Sequence, residues 1–269
     1  MSTEVLLGVA LAQWLGAHAF GVFALGLCLV LVAAGGAWHL VGRRIHPGPA
    51  GAQPSPWRLA LLFFAGFVVI VGASAGFAEI AEEIGPGGRV ARFDEAFAAA
   101  LVAELAPATG RVFAAVTRLG DTRTLVGLGA LVATVLVLLG RPRLAFGWVL
   151  ALAGNGLLNE TLKAVFERVR PVHEADLVAA RGWSFPSGHA SGAVVAYGLL
   201  AYLLIWALPA RWHLPIVLAA AALAFTIGSS RVFVHVHYAS DVLAGFLSGS
   251  AWLAVCIVAF ELARHYRSR

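Results

Sequence analysis

From Arg123 to the C-terminus the chain is a series of apolar runs separated by only a few polar residues, and this limits the fold more than any other feature. Runs of about 20 apolar residues match the hydrocarbon thickness of a bilayer. Inside that layer each backbone N–H and C=O must be paired within its own segment, so the runs are predicted as helices. Only 12% of the residues are charged and 60% are hydrophobic, against about 25% charged in a soluble domain. The predicted fold class is therefore all-α, a polytopic transmembrane helix bundle.

Seven spans are expected. The first apolar stretch, Val5 to Val41, is too long for one span. It reads as an interfacial start carrying Trp14 and His18, followed by a span over 17–41. Pro47 to Pro56 is a Pro/Gly-rich linker, and Arg58 to Ala78 is the second span. Within 79–122, Phe93, Phe97, Leu101 and Leu105 recur at helical spacing, with Asp94, Glu95 and Glu104 assigned to other faces. That pattern predicts an amphipathic helix on the bilayer surface, or else a helix packed on the bundle. Pro107 should end it, with a second short helix over 111–119. The remaining spans are 123–139, 144–166, 187–208, 214–234 and 238–263, with Arg141-Pro142-Arg143 as a tight turn. Residues 1–57 form an N-terminal span and linker; 58–269 form the main unit.

The net charge of +5 does not indicate nucleic acid, because the basic residues form no patch with interleaved aromatics. They flank apolar runs. Short, almost purely basic loops at Arg43–Arg58, Arg141–Arg143 and Arg211, with the basic tail, favour that side as cytoplasmic. The start, Met1-Ser2-Thr3-Glu4, has no basic region, so no cleaved secretory signal is expected. Cys28 and Cys256 lie inside apolar runs and read as packing residues.

Three polar segments sit at helix boundaries on the opposite, outer face: Lys163 to Pro171, Pro186 to His189, and Ser230 to Asp241. If the last helix begins near His237, then His237 and Asp241 share one face at i, i+4. The carboxylate can then hold one ring nitrogen and leave the other free to attack. His235 lacks that spacing and reads as supporting or interfacial. Ser187 is a natural N-cap, and Gly188 admits close approach to a helix N-terminus suited to phosphate. His189 sits at the same end, placed to donate a proton to a leaving oxygen. Lys163, Arg170 and Arg231 supply fixed positive charge. Asn159 and Glu160, with Asn155, are polar residues in the last turns of a span, either supporting the site or bonding between helices. Trp183 and Phe185 are candidates to line a lipid groove or to anchor at the interface.

Taken together, Lys-x6-Arg-Pro, Pro-Ser-Gly-His and Ser-Arg-x5-His-x3-Asp resemble the signature blocks of the type-2 phosphatidic acid phosphatase superfamily of integral-membrane lipid phosphatases. The resemblance covers 58 to the C-terminus and implies a six-helix phosphatase core, with the first span outside it. It implies His237 as nucleophile forming a phosphohistidine, Asp241 orienting it, and His189 as acid and then base. Lys163, Arg170, Arg231, Ser187 and Gly188 would hold the phosphate oxygens. The implied reaction needs no metal or cofactor, and the implied partners are the membrane and a lipid phosphate. Undecaprenyl diphosphate, phosphatidylglycerol phosphate, phosphatidic acid and lipid A phosphate offer the same headgroup chemistry, for hydrolysis or transfer, at the outer face of a bacterial inner membrane. A zinc hydrolase using His189, His235, His237 and Asp241 is a rival that three neighbouring cations disfavour. An anionic lipid transporter is a second rival; it lacks matched discontinuous segments.

Overall fold

The computed structural model describes residues 3–42, 56–171 and 182–267. Among them are ten α-helices: α1 (Thr3–Ala17), α2 (Ala19–Ala37, extended by a π turn over Trp38–Gly42), α3 (Pro56–Glu82), α4 (Arg89–Glu104), α5 (Pro107–Val116), α6 (Thr122–Leu138), α7 (Pro142–Phe166), α8 (Gly188–Ala207), α9 (His213–Phe233) and α10 (Ala239–Arg267). The all-α bundle expected from the apolar runs is what forms. Most of the expected Pro47–Pro56 linker and the middle of the loop before Pro186 lie outside the described residues, as do Arg43 and Arg44.

Among the described residues, five stretches are long and apolar enough to cross a membrane: 19–42, 57–82, 188–207, 210–233 and 239–265. Seven spans were expected; the third corresponds to α6, a helix only 17 residues long, which with α7 is not among those five. The expected fourth forms as α7, 25 residues, whose apolar character is diluted by Asn155, Asn159, Glu160 and Lys163. Both helices pack in the bundle, α6 on α7 and α7 on α8. The Arg141–Arg143 turn has a local cause. Gly140 takes φ +70, a conformation that costs glycine nothing. Gly140 N–H then bonds to Val137 O (2.9 Å) and Arg141 N–H to Leu136 O (2.8 Å), a Schellman cap, and Pro142 starts the next helix at N1.

The segment 89–120 is where expectation and structure part. Pro107 breaks it into two helical arms, the second bent by 116° from the first. The apolar stripe of α4 does not face lipid. Phe97 and Leu101 join Ala12, Ala19, Phe113, Phe233 and Val234 in one buried cluster, with Phe93 and Leu105 against it. Contact with α1 is close: a Cβ on Gly16 would lie 2.4 Å from Phe97 O. The stripe is thus taken up by packing within the protein, as the packed-helix alternative expects. Phe23 stacks on Phe225 and meets Phe113 edge-on, and Phe113 stacks on Phe233, joining α2, α5 and α9, so the N-terminal helices belong to the same bundle.

The centre is α8, packed on α9 and α10. Small residues allow this: a Cβ on Gly245 would lie 2.5 Å from Ser187 O, and one on Gly249 2.8 Å from Ser191 Cα. Close backbone approach of this kind is how helices associate where water offers no hydrophobic drive.

Candidate active site

The three polar segments converge because their backbones are tied. Glu167, at φ +43, ends α7, and Arg168 and Arg170 follow directly after it. Ser184 N–H donates to Arg168 O (2.8 Å), and Ser187 N–H donates to Asp241 O (2.9 Å). At the end of α9, His235 N–H bonds to Val232 O (3.0 Å) and Val236 N–H to Arg231 O (3.1 Å), with His235 at φ +60. This is a Schellman cap with histidine at the position glycine usually takes. His237 N–H also reaches Arg231 O (3.3 Å), which fixes His237 two residues ahead of α10.

His237 is 4% exposed and Asp241 0%. Asp241 Oδ2 lies 3.4 Å from His237 Nδ1. It also accepts from Ser184 Oγ (2.5 Å) and from Tyr238 N–H (2.8 Å). The second of these bonds is the return half of a capping box. Ser184 Oγ is 3.3 Å from His237 Nδ1 and so closes a triangle. This network places the imidazole proton on Nδ1 and leaves the Nε2 lone pair outward. Arg170 Nη1 is 3.0 Å from that Nε2. Burial pushes the His237 ring down to about 3, against the pull of Asp241, so the ring is neutral, and its Nε2 lone pair faces the Arg170 donor.

The converging segments also carry two buried polar atoms with no hydrogen-bond partner among the described residues. Arg231 donates from Nη1 to Thr117 Oγ1 (2.8 Å), while its buried Nε has no partner among the described residues. Ser187 occupies the N-cap position of α8 but makes no capping bond, and its buried Oγ is likewise unpartnered. A Cβ on Gly188 would meet Asn159 Oδ1 at 2.9 Å and Lys163 Nζ at 3.9 Å, so the turn lies against the lysine. Lys163 itself pairs with Glu160 (3.1 Å). Asn159 Nδ2 reaches Pro186 O and Ser191 Oγ at 3.5 and 3.4 Å, bracing the turn from behind. His189 Nε2 is 2.9 Å from Asp121 Oδ1, and a carboxylate there fixes the ring's orientation. A neutral imidazole, a helix N-terminus and several cations can seat a phosphate and attack it.

The PAP2 superfamily pattern matches residues 144–264, which take in all three polar segments. Phosphatidylglycerophosphatase B of Bacillus subtilis (strain 168) is 34% identical over 158 residues, 58% of this chain and 77% of that protein. The chain belongs to the PAP2 superfamily. A solved transmembrane PAP2-type phosphatidylglycerolphosphate phosphatase from Bacillus subtilis aligns with a TM-score of 0.68 at 30% identity, covering 73% of this chain and 97% of that one. This PAP2 protein is accordingly a membrane-bound lipid phosphatase.

Some candidate site residues stand differently from the sequence reading. Arg170 spends its donors on the carbonyls of Gly182 (2.9 Å), Trp183 (3.1 Å) and Val236 (2.7 Å) as well as facing His237, so it ties the loops together. Ser187 does not cap. Phe185 lines no groove: it is 0% exposed, packed between Phe77 and Phe166. Trp183 is exposed.

Five residues beyond the sequence reading join the candidate site: Arg168, Asp94, Ser184, Asp121 and Thr117. Arg168 Nη1 donates to Asp241 Oδ1 (2.6 Å) and Nη2 to Asp94 Oδ2 (2.8 Å). Asp94 was assigned to a polar face, yet it stands three residues before Phe97 and seven before Leu101, on the same stripe. An acid on an apolar stripe was the available signal.

Proposed function

We propose that this phosphatase hydrolyses a lipid phosphomonoester through a phosphohistidine on His237, at the outer membrane face and without a metal. The observation that carries this is the division of the His237 ring: Nδ1 toward Asp241 at 3.4 Å, Nε2 toward Arg170 at 3.0 Å. Nε2 attacks phosphorus and the P–O bond to the lipid breaks, with His189 giving the leaving oxygen its proton. Water then attacks the phosphohistidine, and His189 takes a proton back as inorganic phosphate leaves. Asp241 balances the imidazolium charge while the Ser187–Gly188 turn, Lys163 and Arg231 hold the non-bridging oxygens.

For the substrate we take phosphatidylglycerol phosphate first, because the curated relative is a phosphatidylglycerophosphatase. Phosphatidic acid and undecaprenyl diphosphate share its terminal phosphate. The test is phosphate release by the purified protein, with excess EDTA, from these three lipids and lipid A. The expected result is a preference of tenfold or more in kcat/KM for phosphatidylglycerol phosphate. Preference for the polyprenyl substrate would reassign the substrate, and dependence on added metal would remove the mechanism.

A further inference from the structure

Behind the proposed nucleophile is a buried ionic chain that reaches a helix far from it in sequence. The Arg168 guanidinium joins Asp241 (2.6 Å) to Asp94 (2.8 Å). Its face lies 4.4 Å from the Tyr238 ring centre. Ser240 accepts from Arg168 Nη1 (2.8 Å) and donates to Asp94, by N–H at 3.2 Å and by Oγ. Asp94 is 1% exposed, and the Arg168 side chain 8%. Charges so placed are poorly screened, and each alters its neighbour.

The charge count gives the chain a purpose. Arg168 with Asp241 alone would sum to zero, and His237 would face a neutralised carboxylate. Adding Asp94 brings the cluster to −1. We propose that Asp94 is a positioning residue: it takes up the charge of Arg168, so that Asp241 keeps its own for the His237 imidazolium. This rests on the reading of His237 as the nucleophile. It assigns α4, outside the three polar segments, a part in the phosphoryl step.

A mere brace and a charge balance predict different results. On the charge account, Asp94→Asn lowers kcat about 10- to 100-fold, one pKa unit of imidazolium stabilisation being tenfold, with KM changed less than twofold. The double variant Asp94→Asn/Arg168→Gln restores a net −1 and should recover at least tenfold of the lost kcat. Asp94→Glu, which keeps the charge, should stay within about tenfold of wild type. A brace would instead make the double variant no better than the single one.

The assay is phosphate release from short-chain phosphatidylglycerol phosphate in detergent, with thermal unfolding as the folding control and His237→Ala alongside. An active His237→Ala protein would remove the nucleophile reading and this inference together. An inactive one, with Asp94→Asn within twofold of wild-type kcat or with the double variant as slow as the single, would overturn the inference alone. Should Asp94→Asn not fold, the two variants that carry −1 decide: kcat within about tenfold of wild type supports the charge balance, and a loss beyond 100-fold in both overturns it.

Discussion

Replacing Asp241 by Asn changes one atom and should do two separable kinds of damage. The carboxylate receives Arg168 on Oδ1 and Ser184, Tyr238 N–H and His237 Nδ1 on Oδ2. An amide has one oxygen, so donors meet donors on one side. Breaking a buried ion pair costs about 3–5 kcal/mol; the low end applies, since Arg168 keeps Asp94. The chemical loss is larger in rate. Opposite charges 3.4 Å apart attract by roughly 5 kcal/mol at an effective dielectric near 20. That gain arises only when the ring is charged, so its loss corresponds to about 10³–10⁴ in kcat. Phosphate release and thermal unfolding in detergent, measured on the same preparation, separate the two effects. A folded Asp241→Asn protein with kcat within tenfold of wild type would refute the dyad.

Three further outcomes follow from the same geometry. His237 is held near 3 by burial, against about 6.5 unfolded. The unfolded state therefore binds more protons between those values, and stability falls as pH drops through that window. The unfolding midpoint should decline from about pH 7 to 5, less so in His237→Gln; an equal decline in both would refute the assignment. Phe185→Ala should cost about 3–5 kcal/mol in unfolding free energy, as a buried aromatic, while Trp183→Ala leaves stability within about 0.5 kcal/mol; equal losses would contradict the packing. With Cys28 replaced by Ala, Pro86→Cys should react with an impermeant thiol reagent in intact cells and Arg141→Cys should not. The reverse pattern would invert the protein.

The bundle was legible because apolar run length measures a bilayer directly, and the three polar segments because each is contiguous and sits at a run's end. α7 was legible for the same reason, although its site-facing polar residues dilute it. What escaped reading was pairing across distance. Asp94 and Arg168 are 74 residues apart, and Asp121 and His189 are 68 apart, with nothing local to link either pair. Ser184 looked like loop because its task, bridging His237 and Asp241, exists only once α8 and α10 pack. The role of His235 was hidden differently: its spacing to Asp241 said what it could not do, while its place in a helix cap depends on a backbone angle. Phe185 read as groove-lining or interfacial because a solitary aromatic beside a polar turn does not reveal whether Phe77 and Phe166 will enclose it.

The central claim is that phosphorus passes through His237, and trapping the enzyme in that state tests it most directly. Protein mixed with lipid substrate carrying ³²P in its terminal phosphate would be quenched in alkali and in acid within the first turnover. We expect one label per active protein, stable to alkali and lost in acid as a phosphoramidate is, mapped to His237 and absent from His237→Ala. In His189→Ala the label should persist longer, because water then lacks its base. Label retained by His237→Ala, or an acid-stable label on a hydroxyl such as Ser187, would contradict the account.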